Sequence, residues 1–431
     1  MAVEGTHAIV IGAGVIGAGV ALELARNGFQ VTVLDRGPSA GTGSTSASSA
    51  IVRYHYRHRD EAVVAWESGR RWRQWEKYLG VRDPSGMATF VESGLLVLPG
   101  EELDMTQARE HLHALGIVVE EMSADDARER FPGLDPTGMG PPSLPGDDRF
   151  WVEGGDQQNV FWMPECGFVD DPQLAAHNLA HAAEYWGATF RFGTEVTEIV
   201  RGQGRVGGVL LDTGELVAAS VVVNVAGPWS GAINQLADVL DDFATSTRPL
   251  EQEVVALPAP ADFRLGLGFC VTDADLGTYF RPHHGDSLLV GGMEAPCDPL
   301  VWLQRPEDAR QFVTADNWHT QSLRVARRLP SVRVPGRPAG IVGVYDVTAD
   351  WIPIYDRTSL DGYYVAIGTS GHGFKQAPFV GELMANLVRA CEAGHPHDRS
   401  PLQVTASWTG NTVDLGHFSR LRTVDAQAAM G

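Results

Sequence analysis

The sequence predicts an α/β fold: a discontinuous nucleotide-binding domain of Rossmann type, joined to a largely antiparallel second domain. Three observations predict it. From His7 to Arg36 the chain reads strand, glycine turn, helix, strand, with G-x-G-x-x-G at Gly12, Gly14 and Gly17. Between Pro249 and Pro330, strand-like pieces such as EQEVVALP and GDSLLVGGM alternate with loops and show no βαβ rhythm. Finally, Gly362 to Ala390 again reads strand, glycine loop, helix, so the first domain is completed from the far end of the chain.

In the first unit, Ala8 to Ile11 is a short apolar run and Val15 to Arg26 is apolar at helical spacing. The first glycine allows the turn, the second admits a pyrophosphate to the backbone, and the third lets the helix lie on the sheet. The helix then points unpaired N–H groups and its positive dipole end at the phosphates. Val31 to Leu34 forms the second strand, and Asp35 closes it 23 residues beyond Gly12. A carboxylate there accepts ribose hydroxyls and disfavours a 2′-phosphate. An ordinary glycine-rich turn would leave Asp35 unexplained.

With 431 residues, 44% of them hydrophobic, the chain can bury a large core and divide into two domains. Its 54 acidic against 33 basic residues give a net charge of −21, which argues against nucleic acid as a partner. Nearly all the basic residues are Arg, with Lys only at 77 and 375. A lysine inside a glycine-rich motif therefore stands out. Cys166, Cys270, Cys297 and Cys391 are widely spaced, so neither structural zinc nor a disulfide framework is expected. No metal site is expected. No apolar run reaches membrane-spanning length, and the apolar N-terminus lacks the basic leader of a signal peptide, so a cytoplasmic protein is expected.

After Arg36, GPSAGTGSTSASSA is a small-residue loop that can bring backbone N–H groups against a flat ligand. From Glu61 to Leu79 the spacing of Val64, Trp72, Trp75 and Leu79 predicts one amphipathic helix with core tryptophans. Thr89 to Leu98 is expected to begin a hairpin, followed by a helix-prone segment from Leu103 to Arg130. The Pro- and Gly-rich stretch from Phe131 to Asn159 is expected to form a lid. Asp170 or Asp171 with Pro172 starts a helix that continues from Ala175 to Trp186, and Thr189 to Val200 supplies strands. A hairpin then turns at Asp212 to Gly214, ahead of a buried strand from Val221 to Val225.

With these motifs in order, the chain resembles the flavoprotein amine oxidases and dehydrogenases that include monomeric sarcosine oxidase, dimethylglycine oxidase and D-amino acid dehydrogenase. The resemblance covers most of the chain. It rests on GAGVIG with Asp35, GSTS at 43 to 46, IVRYHY at 51 to 56, GFVDDP at 167 to 172, NVAGPWS at 224 to 230, YDVTADWIPI at 345 to 354 and GTSGHGFKQAP at 368 to 378. It implies FAD in a glutathione-reductase-like domain beneath an antiparallel substrate domain whose sheet roofs the flavin. The expected division is residues 1–88, 160–240 and 338–431 for FAD and 89–159 and 241–337 for substrate.

The resemblance further implies FAD contacts at Gly12, Gly14, Val15, Ile16, Asp35, Arg36, Gly43, Ser44, Thr45, Ser46, Val196, Ala226, Gly227, Trp229, Gly371, His372, Gly373, Phe374 and Lys375. Arg53 and Lys375 match the pair that grips a substrate carboxylate, a planar two-toothed contact beside a compact charge. Tyr56 and Tyr345 are expected near the substrate, either lining its cavity or as core aromatics. His372 is expected to contact flavin or pack the loop, and His55, His58, His283 and His284 to be solvated or structural. Gly343 stands where monomeric sarcosine oxidase has its flavin-linking cysteine, so non-covalent FAD is expected. The position of its oxygen-activating lysine falls near Leu289, where no lysine stands, which leaves oxygen or an electron carrier as acceptor.

The expected activity is FAD-dependent oxidation of the C–N bond of a small primary or N-methyl amino acid, with hydride passing to flavin N5 and the imine hydrolysing in water. Alternatives on the same fold are a hydroxy-acid or glycerol-phosphate dehydrogenase and a flavin-bearing subunit of an electron-transfer complex. A nicotinamide enzyme is disfavoured by the returning GHGFK unit.

Overall fold

The protein is described by a computed structural model covering residues 5–101, 103–155 and 159–424. Two sheets organise it. The first has six strands in the order Ile354–Arg357, Tyr363–Ile367, Val221–Asn224, His7–Ile11, Gln30–Leu34, Thr189–Arg191. All its pairings are parallel except that of the edge strand Ile354–Arg357. The central strands HAIVI and VVVN are almost wholly buried, as a sheet covered on both faces requires. Tyr363–Ile367, some 350 residues after the first strand by its numbering, pairs with Val221–Asn224, so the expected discontinuity is present.

The helices Val15–Arg26, Pro172–Tyr185 and Gly373–Glu392 pack together against this sheet. Their closest crossing is made by two glycines. A Cβ on Gly381 would come 2.4 Å from the Gly19 carbonyl oxygen, so only bare backbone fits there. Asp171 caps the second helix by accepting from Leu174 N at 2.9 Å, ahead of Pro172.

The second sheet has eight strands, in the order Gly340–Val347, Arg248–Pro258, Ser287–Gly292, Thr278–His283, Cys270–Asp273, Leu95–Leu98, Val160–Met163, Glu120–Met122. It is antiparallel except where Cys270–Asp273 meets Leu95–Leu98. Two of its strands, Val160–Met163 and Gly340–Val347, belong to stretches whose sequence predicts the nucleotide-binding side. VFWM is an unbroken apolar run, and such a run has no periodicity to say which sheet it joins.

Local structure departs from expectation at three further places. The helix expected from Glu61 to Leu79 is two, Arg59–Arg73 and Trp75–Leu79, broken at Gln74, where φ is −121° and ψ 46°. The break lets Trp72 and Trp75 stack with centroids 4.2 Å apart, and both are buried. Thr89 to Leu98 is no hairpin, because Phe90–Val91 pairs with Gly167–Val169 and Leu95–Leu98 enters the large sheet. The change of sheet occurs at Gly94, where φ is +77° and a Cβ would lie 2.0 Å from the Trp162 ring. From Leu103 to Arg130 the chain forms the helices Met105–Ala114 and Ala124–Arg130 with the strand Glu120–Met122 between them.

The segment from 131 to 159, of which 156–158 lie outside the described residues, is irregular apart from the short helix Asp148–Trp151, and it is tied down. Met139 and Gly140 N–H groups donate to Asp275 at 2.7 and 2.9 Å, and buried Arg328 donates to the carbonyls of Asp135 and Thr137. Among the described residues no helix is long and apolar enough to cross a membrane.

Candidate active site

A cavity of about 1090 Å³ runs along the C-terminal ends of the parallel strands. At one end it is lined by Gly12, Gly14, Val15 and Ile16. Gly12 has φ +112°, and a Cβ there would sit 2.6 Å from the Val225 carbonyl oxygen. Gly14 caps the first helix with no side-chain hydrogen bond, and no acid occupies its first turn, so the positive end is open to an anion. Asp35 lines the wall, its two carboxylate oxygens accepting from Ala13 N and Gly37 N at 2.6 Å each.

Arg36, Val196, Ala226, Gly227 and Trp229 line the same stretch, and Gly43, Ser44 and Thr45 the next. Thr45 Oγ1 accepts from Val15 N at 3.1 Å, and Ser44 Oγ donates to the Val344 carbonyl at 2.6 Å, tying the GSTS loop to the first helix and to the antiparallel sheet. Ser46 turns back into its own loop and donates to Gly43 O. At the other end lie Gly371, Gly373 and Phe374, at the start of the second open-ended helix, Gly373–Glu392.

A second cavity of about 150 Å³ abuts this end, sharing Ser48, Ser49, Tyr279, Tyr345, Gly371 and Phe374 with the first. Arg53, His55, His372 and Lys375 line it. Arg53 follows the strand Ile51–Val52, and Nη1 donates to the His55 carbonyl at 2.5 Å. Its guanidinium carbon lies 4.7 Å from the centre of the Tyr56 ring, so Tyr56 backs Arg53 rather than walling the cavity.

Lys375 is set by its helix. Pro378 has no N–H to give to the turn before it, and three carbonyls around it take side-chain donors from the helix Arg59–Arg73. Trp72 Nε1 donates to Lys375 O at 3.0 Å, Ser68 Oγ to Gln376 O at 2.8 Å, and Arg71 Nη1 to Pro378 O at 2.6 Å. Burial and the neighbouring Arg53 charge together push the Lys375 ammonium well below its ordinary pKa, against a smaller opposing effect of Glu61. Burial, Lys375 and Arg53 likewise depress His372, whose ring meets Tyr56 edge-on at 5.2 Å. His372 thus faces the small cavity, as does Lys375.

Tyr345 lines both cavities, and its hydroxyl shares a hydrogen bond with Tyr279, which Ser49 Oγ also meets at 3.0 Å. A Cβ on Gly371 would come 2.7 Å from the Tyr345 ring, so glycine lets the tyrosine close over the loop. Burial pushes the Tyr345 phenol well above its usual value.

Several wall residues were not singled out from the sequence. His55, read there as solvated or structural, is buried against the small cavity, and burial with the Arg53 and Lys375 charges depresses it strongly. Tyr279 reaches the cavity from the strand Thr278–His283, Glu294 from just beyond Ser287–Gly292, and Pro142 from the 131–159 segment. No motif marks them. The one available signal is that Met293 and Glu294 end an alternating strand at a double glycine.

This is a two-sheet, dinucleotide-scale site with a small charged annex, the arrangement of a cofactor-dependent oxidoreductase. Residues 7–387 match the family described as DAO, FAD dependent oxidoreductase, and the chain belongs to that family. It is similar to the glycine oxidase of Geobacillus kaustophilus, 26% identical over 404 residues covering 92% of this chain and 96% of that protein. It is also similar to sarcosine oxidase subunit beta of Rhodobacter capsulatus, 25% identical over 390 residues, covering 88% and 84%. Among solved structures, L-proline dehydrogenase from P. horikoshii shares the fold, with a TM-score of 0.72 at 24% identity and coverage of 91% and 96%.

FAD is the cofactor. The residues fit it: the glycine-lined cradle, the open helix ends and a volume at the upper end of ligand cavities suit a dinucleotide with a flat ring. Gly343 lines the cavity, with space limited by Ala47, whose Cβ lies 2.9 Å from where a Cβ would stand.

Proposed function

We propose that the protein oxidises the C–N bond of a small primary or N-methylated amino acid to an imine, which water hydrolyses. The observation that carries this is a pair of cationic side chains, Arg53 and Lys375, on the wall of a small cavity that opens onto the cofactor cavity. FAD supplies the two-electron acceptor.

Arg53 offers a flat fork to a carboxylate, and Lys375 a compact charge beside it. A bound carboxylate offsets one of the two positive charges, which favours the protonated form of Lys375 that burial and Arg53 disfavour. About 150 Å³ admits a small amino acid and excludes bulky side chains. Tyr345 and Phe374 stand where the two cavities meet, so the substrate's reacting carbon is held towards the cofactor side. Glycine oxidase and sarcosine oxidase subunit beta, two similar proteins, carry names for small amino acids of this size. Reduced thiols at buried Cys166 and Cys270 fit a cytoplasmic setting.

Anaerobic bleaching of the flavin by a panel of primary amino acids, N-methyl amino acids and 2-hydroxy acids tests the reading. It predicts bleaching by a small amino acid. Bleaching by hydroxy acids alone, or by nothing in the panel, overturns it. Readmitting air then separates oxygen from an electron carrier as the acceptor.

A further inference from the structure

The two cations leave one charged wall residue without a role. Glu294 lies two residues beyond the strand Ser287–Gly292, half-buried, and lines the small cavity. Its backbone is left-handed, at φ +50°, a conformation uncommon for a side chain that is not glycine, asparagine or aspartate. Gln252, from the strand Arg248–Pro258, holds its carboxyl by a side-chain hydrogen bond.

Tyr345 locates the acid relative to the clamp. Glu294 raises the Tyr345 phenol's pKa while Arg53 lowers it, so the tyrosine feels both charges. The groups that act on Glu294 itself are Gln252 and Asp298. Arg53 and Lys375, and Glu294, which is negative once ionised, therefore line one small cavity together with Tyr345. A zwitterionic amino acid carries the complementary pair of charges.

An amino acid in water carries an ammonium group, whose nitrogen has no free electron pair. Loss of the C–H electrons from that carbon needs the nitrogen lone pair to form the imine. One proton must therefore leave nitrogen before oxidation. We propose that Glu294 accepts this proton, positioning the amine as it enters. The inference rests on the amine-oxidation reading above. In the step, one N–H bond breaks with its electron pair left on nitrogen, and an O–H bond forms on the Glu294 carboxylate; nothing is oxidised or reduced.

Burial pushes the Glu294 carboxyl up to about 8, where its ionised form is basic enough to take a proton from an ammonium group. Of the other ionisable groups lining this cavity, Lys375 is also pushed down, by burial and by Arg53, and the Glu294→Gln variant, which keeps Lys375, tells the two apart. Tyr279 and Tyr345 are raised by burial, and His55 and His372 are depressed by it. Asp298 is paired with Arg324 at 2.7 Å, and Cys297, in the same loop, is raised by burial. Asp346, pushed up to about 7, lines the cofactor cavity instead.

The test is the pH dependence of flavin reduction by the amino acid that bleaches the wild-type holoenzyme. Wild type should show an acid limb near pH 8. In Glu294→Gln the limb should move to the free amine's own pKa, with reductive efficiency at neutral pH falling by about 100-fold. Glu294→Asp should keep part of the original limb, and propionate, which has no nitrogen, should perturb the flavin bands of all three equally. A limb that stays near pH 8 in Glu294→Gln, or propionate binding lost with it, overturns the role of Glu294 alone. Wild type that no amino acid bleaches would instead remove the amine reading itself.

Discussion

Arg36 sits over Trp229, its guanidinium carbon 4.5 Å from the indole centre, and the Glu307 carboxylate accepts from both side chains at 2.5 Å. Arg36 follows the second strand of the parallel sheet, whereas Glu307 lies in the short helix Pro306–Asp308, which contacts the antiparallel sheet. One carboxylate thus ties two residues of the cofactor cavity's wall to the antiparallel side. Glu307 and Arg36 are both part-exposed, so the pair is worth only about 1 kcal/mol or less. Glu307→Ala should speed FAD loss by up to about 5-fold, measured by fluorescence of released FAD, and leave flavin reduction by substrate unchanged.

Trp72 should position Lys375 through the backbone. Its Nε1 donates to the Lys375 carbonyl, and its ring stacks on Phe374 with centroids 5.2 Å apart and planes within 8°. Trp72→Phe keeps most of the stack and removes the donor. The expected cost is about 1–2 kcal/mol of stability, read by denaturant unfolding, with a higher KM for the amino acid. The kcat should change less than KM, because the residue acts on the carboxylate's partner.

Asp346 makes stability depend on pH. Its buried carboxyl is pushed up to about 7 by desolvation, against hydrogen bonds from Gly368 N and Thr247. The folded chain therefore holds this proton more tightly than the unfolded chain, whose Asp titrates at about 3.9. The contribution is full below about pH 4 and is lost as pH rises through about 7. Asp346→Asn should flatten the decline in melting temperature between about pH 4 and 7, whatever its effect at one pH. An unchanged pH slope would show that Asp346 is not the group responsible.

Much of this architecture was legible because local pattern and tertiary role coincide. GAGVIG and SGHGFK each join a strand end to a helix start and Asp35 closes the second strand, so motif order alone points to one cavity. The failures share a cause. Val160–Met163 and Leu95–Leu98 are uniformly apolar, and which sheet they join is set by partners distant in sequence. Tyr56 directly follows His55, yet only the fold shows that His55 meets the small cavity while Tyr56 supports Arg53 from behind. Glu294 was invisible for the same reason: an acid after a strand signals nothing until Tyr345 and Gln252 converge on it.

The central claim is that Arg53 and Lys375 together hold the substrate carboxylate, and Arg53→Met tests it most directly. The holoenzyme variant is titrated with propionate and with the reducing amino acid, following flavin absorbance anaerobically. Loss of one bidentate, charge-assisted contact should weaken both ligands by about 10- to 100-fold, equivalent to about 1.5–3 kcal/mol, with the flavin spectrum of the free protein retained. Unchanged affinity for both, with flavin reduction at the wild-type rate, would contradict the account.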